Sequence, residues 1–183
     1  MANRQRDADF TEYVQNRTAW LRRVAVLLCR DWDRADDLVQ SAFLKLYLNW
    51  DKARRADNFD AYVRAILVNL FLSEQRTPWW RTITLRREQL DEITADPAAP
   101  DVDHAGSLDV LAALGAVPAR QRAAVVLRFY CDLSIEETAA LLACSPGTVK
   151  SQTSRGLAAL RQALETSHSP QTGTGGLRHV PGR

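Results

Sequence analysis

A chain of 183 residues can form one medium domain or two small ones, and 46% hydrophobic with 25% charged residues is the ordinary make-up of a folded protein with a real core. The longest apolar stretches, Val24 to Cys29 and the interrupted run from Ala61 to Leu72, fall well short of the roughly 20 residues that cross a bilayer, and no basic start leads into a signal-peptide core. Secretion and membrane insertion are therefore not expected. Cys29, Cys131 and Cys144 are odd in number, widely spaced and each set in an apolar pattern, which argues against a disulfide framework or a CxxC zinc knuckle and suits a reducing, cytoplasmic interior. The net charge of +2 conceals an uneven distribution: residues 1–77 hold 13 Lys/Arg against 11 Asp/Glu, residues 78–116 hold 3 against 7, and residues 117–183 hold 8 against 4. Two mildly basic ends flanking an acidic middle are compatible with polyanion binding, although the solvated surface of many enzymes has the same balance.

The first block reads as three or four helices. Phe10, Val14, Arg17, Leu21, Val24 or Ala25, and Leu28 recur at three-to-four spacing, the period of one inward stripe on a helix from about Asp9 to Arg30. Asp33 can cap a second helix and Asp36 suits the positive end of its dipole. Ala35, Leu38, Val39, Ala42, Phe43, Leu46 and Tyr47 form the stripe of that helix, which ends near Trp50. A polar stretch from Asp51 to Asp57 precedes Asn58 or Asp60, either of which can cap a third helix carrying Phe59, Tyr62, Val63, Ile66, Leu67, Leu70 and Phe71; Pro78 stops it. Between Trp79 and Asp103 the periodicity fades, and Pro97 and Pro100 stand among Ala and Asp. Residues 78–103 are expected to form a flexible acidic linker, with Thr84 to Ile93 as a short helix inside it.

The chain resumes at Ser107 to Leu114, pauses at Gly115 and restarts at Pro118, whose missing N–H costs nothing in a first helical turn. Val117, Ala124, Leu127 and Tyr130 are expected to face the core. Ser134 followed by Glu137 has capping-box spacing and opens a short helix with Ile135, Ala139 and Leu142 inward. Ser145 then caps a second helix with Pro146 in its first position, and Val149, Thr153, Gly156 or Leu157, Leu160 and Leu164 continue the inward face. Two helices separated by about three residues match a helix-turn-helix, whose second helix can enter the major groove. Thr148, Lys150, Ser151, Gln152 and Arg155 fall on or near its outward face and offer hydroxyl, amide and cationic groups suited to phosphates and base edges; the bland alternative is the solvated face of a helical hairpin. Four Gly and two Pro among residues 166–183 predict a disordered tail. The expected fold is all-α, with two small helical domains, residues 1–77 and 104–165, joined by the linker.

From Phe10 to Leu164 the chain resembles the bacterial extracytoplasmic-function sigma factors, in particular the actinobacterial SigE-like subgroup. ADDLVQSAFLKLYLNW (35–50), FDAYVRAILVNLFLSEQR (59–76), VPARQRAAVVLRFYCDLSIEETAALLACSPGTVKS (117–151) and SRGLAALR (154–161) carry the resemblance by their joint order and spacing. The resemblance implies a promoter-specific initiation subunit that binds core RNA polymerase, recognises −10 and −35 DNA elements and assists promoter opening. It implies no cofactor, no metal and no catalytic residue, and an anti-sigma factor as a further partner.

Carried over by motif, Asp37, Leu38, Gln40, Phe43 and Leu46 are expected at the polymerase clamp, with Phe43 and Leu46 equally suited to the core. Trp50 to Phe59 matches the turn that captures a displaced base, for which Trp50, Lys52, Arg54, Arg55 and Asn58 supply an aromatic face, cations and an amide; a plain solvated loop is the rival. Arg64, Asn69 and Arg76 lie on the helix associated with the −10 duplex. Two departures from the family pattern stand out. Gln152 occupies a position where an Arg is usual after GTVKS, and Ser41 replaces an acidic residue in DLVQSAF. An ordinary helix-turn-helix regulator would not need the DLVQSAF and VRAILVNLFLSEQR blocks. An enzyme would need a constellation that is missing, because His104, His168 and His179 all fall at the linker's edge or in the tail and no P-loop, HExxH or Rossmann glycine pattern occurs.

Overall fold

The computed structural model describes residues 2–75 and 104–168, and the regular structure among these is helical throughout. Arg76, the expected linker with its short helix at Thr84 to Ile93, and residues 169–183 lie outside the described residues. Helix α1 spans Ala2–Cys29 and starts about seven residues before the apolar stripe does. Its first turns are held from a distance: Arg6 donates to the Tyr47 carbonyl (2.7 Å) and stacks on the Tyr47 ring, while the Tyr47 hydroxyl donates to Asp7 (3.0 Å). Leu21, Val24, Ala25 and Leu28 are fully buried as the spacing requires, but Arg17 turns outward and pairs with Asp60 at 2.6 Å.

Arg30 adopts a left-handed backbone (φ 63°), which ends α1 and starts the next helix earlier than the sequence suggests. Asp31, not Asp33, therefore caps α2 (Trp32–Leu48), accepting from the Arg34 N–H at 2.8 Å. Asp33 stays in the first turn, and Asp36 pairs with Arg22 at 2.6 Å. The short α3 (Trp50–Ala53) follows, and Asn58 caps α4 (Phe59–Glu74) by accepting from the Ala61 N–H at 2.9 Å. Further ion pairs join Arg34 to Glu74 and Arg54 to Asp9.

The second region comprises α5 (His104–Ala113), a 3₁₀ turn (Leu114–Ala116), α6 (Ala119–Val125), a π turn (Val126–Tyr130), α7 (Ile135–Leu142) and α8 (Pro146–His168). Pro118 precedes α6 as its N-cap and does not occupy its first turn. The π turn widens the helix by one residue, seen in the Cys131 N–H bonding back to the Val126 carbonyl at 3.0 Å. That extra residue rotates Phe129 and Tyr130 into solvent, so Tyr130 does not reach the core where a regular helical period would put it. Helix α8 continues through Thr166 and Ser167, whose hydroxyls donate to carbonyls four residues back, into the stretch expected to be disordered.

The two regions do not stay apart. Leu21, Leu28, Leu67 and Phe71 of the first belong to the same apolar cluster as Leu114, Ala123, Val126 and Leu127 of the second. Burying such side chains stabilises by about 1.5–3 kcal/mol each. Burial also pushes the Cys29 thiol up to about 12 and Cys131 up to about 11, which keeps both protonated and unreactive at neutral pH.

Candidate nucleic-acid interface

Helices α7 and α8 are joined by three residues, Ala143 to Ser145. The Ser134 hydroxyl accepts from the Glu137 N–H while the Glu137 carboxylate accepts from the Ser134 N–H, a full capping box that fixes the start of α7. The Ser134 backbone donor holds the Glu137 carboxyl below its ordinary value, with the Ser134 side chain adding to the effect. Ala143 closes α7 in a left-handed conformation (φ 50°), and Ser145 accepts from the Thr148 N–H at 3.1 Å to open α8.

Helix α8 is turned by what it buries. Val149 is fully enclosed, and a Cβ on Gly156 would come within 2.7 Å of Val125 Cγ2 and 3.1 Å of the Gln121 carbonyl. The backbones of α6 and α8 approach so closely that only glycine fits there. With that face inward, Lys150, Ser151 and Arg155 are exposed on the other side. Ser151 donates to the Thr148 carbonyl (2.9 Å), and the Thr148 hydroxyl is within hydrogen-bond reach of Ser145, while Lys150 and Arg155 present their charges on the exposed face. Gln152 is half-buried and lines a cleft of about 390 Å³ with Leu72, Gln75 and Ala119.

In the turn after α2 the expected residues separate. Trp50 is only 3% exposed, its ring packed edge-on against Phe10 (5.3 Å), Phe59 (5.3 Å) and Tyr13 (6.4 Å). The expectation that it stacks an unpaired base is corrected: the ring is a structural post that orients the turn. Lys52, Arg55 and Asn58 are exposed around it, and Arg54 is exposed but engaged with Asp9 at 3.0 Å. On α4, Asn69 is exposed, whereas Arg64 is half-buried with its guanidinium 5.9 Å from the Trp20 ring.

The α2 face divides similarly. Asp37 and Gln40 are exposed, Phe43 is half-buried beside Phe10, and Leu38 and Leu46 are core residues at 1% and 0% exposure. Leu38 and Leu46 therefore cannot touch a partner, because the inward stripe claims them. Two exposed residues beside Asp37 and Gln40 were missed: Leu44 and Leu48 are 62% and 70% exposed and continue that side at helical spacing. Their signal was present in the sequence as two leucines out of phase with the buried stripe.

Residues 13–81 match the family model for sigma-70 region 2, and residues 107–160 match that for sigma-70, region 4. That pair of regions in one chain defines a sigma factor of the sigma-70 class. The RNA polymerase sigma-E factor of Streptomyces avermitilis is 40% identical over 162 residues, covering 86% of each chain, and that of Streptomyces coelicolor is 41% identical over 160 residues, 85% of this chain and 86% of the relative. A solved structure of the sigma factor RpoE with the anti-sigma factor NepR, from Bartonella quintana, superposes with a TM-score of 0.63 at 29% identity, over 86% of this chain and 97% of that one. The chain belongs to the extracytoplasmic-function sigma factors, in their actinobacterial SigE-like subgroup. It directs RNA polymerase to promoters and is not itself an enzyme.

Proposed function

We propose that this chain docks on core polymerase through the outer face of α2 and reads promoter DNA with two separate surfaces. The observation that carries the proposal is the α2 stripe of Asp37, Gln40, Leu44 and Leu48, because two large apolar side chains exposed beside polar ones form a small docking patch outside the core. In the second region α7 and α8 act as a helix-turn-helix on the −35 element. Lys150 and Arg155 meet phosphates there, Thr148 and Ser151 support the helix start, and the Gln152 amide reads a base edge. In the first region Lys52, Arg54, Arg55 and Asn58 line the path of the opened strand at the −10 element. Arg64, Asn69 and Arg76 are assigned to the adjoining duplex by their places in the family motif. The site of action is the cytoplasm, where an anti-sigma factor is a natural further partner, since the Bartonella relative was solved with one. Among the described residues no helix is long and apolar enough to cross a membrane.

The test is core-polymerase affinity of Leu44→Ala/Leu48→Ala at unchanged helix content. A loss of about tenfold or more is expected, because truncating anchor side chains at an interface costs upward of about 1 kcal/mol each. Unchanged affinity would remove α2 from the interface.

A further inference from the structure

The two halves of α1 are tied to the rest of the first region in different ways. In the second half Leu21 and Val24 are fully buried in the same cluster as Val63 and Leu67 of α4, so apolar contact already fixes these helices to one another. The first half works through polar groups. Arg6, Asp9, Tyr13 and Arg17 recur there at three-to-four spacing along one face, and each makes a polar contact with a residue between Tyr47 and Asp60.

That face holds both ends of the turn after α3. At the start the Asp9 carboxylate accepts from Arg54 at 3.0 Å; at the far end the two oxygens of Asp60 are taken separately, Oδ1 by the Tyr13 hydroxyl at 3.2 Å and Oδ2 by the Arg17 guanidinium at 2.6 Å. Asp60 is not the cap of α4, because Asn58 already accepts from the Ala61 N–H. It stands in the first turn with its carboxylate engaged by α1. Burial, and after it the Asp60 charge, push the Tyr13 phenol above its ordinary value, so the hydroxyl keeps its proton and stays a donor. Between the anchors the Arg55 and Ala56 N–H groups bond to the Lys52 and Ala53 carbonyls at 3.2 and 3.1 Å, which closes the backbone into a turn that moves with its ends. Asp9 and Arg17 are roughly two helical turns apart, about 12 Å at ~1.5 Å per residue. One rigid helix therefore sets the spacing of the two anchors.

The grip on Asp60 lies outside the apolar core. The Arg17 and Asp60 side chains are 44% and 40% exposed, and ion pairs so open to water add little to stability. Their effect is on position. A binding constellation has to be held to about 0.5 Å by the groups behind it. We propose that Tyr13 and Arg17 are positioning residues for promoter opening: by gripping Asp60 they set where the segment from Lys52 to Asn58 stands against α1, and thereby where the exposed Lys52, Arg55 and Asn58 meet the displaced strand. The proposal rests on the assignment of that turn to the opened strand made above.

The test uses the full-length chain with core polymerase on a genomic fragment that gives chain-dependent transcripts. Closed-complex binding is followed by filter retention in the cold, and strand opening by permanganate reactivity of thymines on warming. Tyr13→Phe/Arg17→Gln should bind the fragment within about twofold of wild type yet open it about tenfold more slowly, with Tm lowered by no more than about 4 °C. Arg17→Lys keeps a cation within reach of Asp60 and should open the fragment at close to the wild-type rate. In the free chain the double variant should lose amide protection at Arg55 and Ala56 and keep it over Leu38 to Leu46 of α2. An unchanged opening rate overturns the proposal, and so does an equal loss of binding and opening, which marks a general weakening of the first region. Lys52→Ala/Arg55→Ala separates the grip from the assignment beneath it. Slower opening in that variant but not in Tyr13→Phe/Arg17→Gln removes only the grip, whereas wild-type opening in both removes the turn from strand capture as well.

Discussion

In the first region the aliphatic core is braced by large rings and long charged side chains, whereas in the second it is joined by a glycine-tight helix approach and helix caps. Phe10, Tyr13, Trp50 and Phe59 stack edge to face between α1, α3 and α4, and Arg17, Arg34 and Arg54 reach carboxylates 40 or more residues away in sequence. Around α8 the close contacts are Gly156 against Val125 and the caps Ser134 and Ser145. The difference suits the proposed tasks. Melting DNA calls for a turn braced against strain, while a helix entering a groove needs its angle fixed and its outer face free.

Breaking the aromatic post should have the largest effect. Trp50→Ala should cost about 3–5 kcal/mol in urea unfolding, as expected for removing a fully enclosed ring. Gly156→Val should cost about 1–3 kcal/mol, because its Cβ alone already meets Val125 and the Gln121 backbone, and the loss should be accompanied by altered α6–α8 exchange rates. A thermal shift shared equally by Gly156→Val and a surface control would count against the tight-approach argument.

Smaller effects sharpen the same contrast. Ser134→Ala should cost about 1 kcal/mol by removing the cap of α7. Glu137 contributes through its lowered pKa, so its share of stability is present above the unfolded carboxyl value and is lost as pH falls through the folded one. Stability of Glu137→Gln followed from pH 7 to 3 should therefore fall less steeply than wild type; parallel curves would deny the coupling. Ala143→Gly should stabilise by about 0.5 kcal/mol, since relief of a left-handed alanine slightly outweighs the added freedom of the unfolded chain.

Much of the fold was legible because it is periodic. The stripes of α1, α2 and α4, a cap at one of two candidates that proves to be Asn58, the capping box at Ser134 and the Ser145-Pro146 start follow from spacing and local hydrogen-bond chemistry. What escaped depends on partners distant in sequence. The early start of α1 hangs on Tyr47, the cap shifted to Asp31 because Arg30 turns left-handed, and the π turn sends Tyr130 outward. The candidate site was legible in its segments and less so in its atoms. A motif marks Leu38, Leu46 and Trp50 as part of a functional stretch, but only packing shows that their side chains face inward while Leu44 and Leu48 face out.

The direct measurement is promoter-dependent transcription by purified core polymerase supplied with this chain, using genomic fragments as templates. Discrete transcripts that require the chain are expected, with output reduced by Leu44→Ala/Leu48→Ala through polymerase binding and by Lys150→Ala/Arg155→Ala through DNA, each lost phosphate contact lowering the salt slope of DNA binding by about one unit. No chain-dependent transcript from any fragment, or full output from both double variants, would contradict the assignment of these two surfaces to initiation.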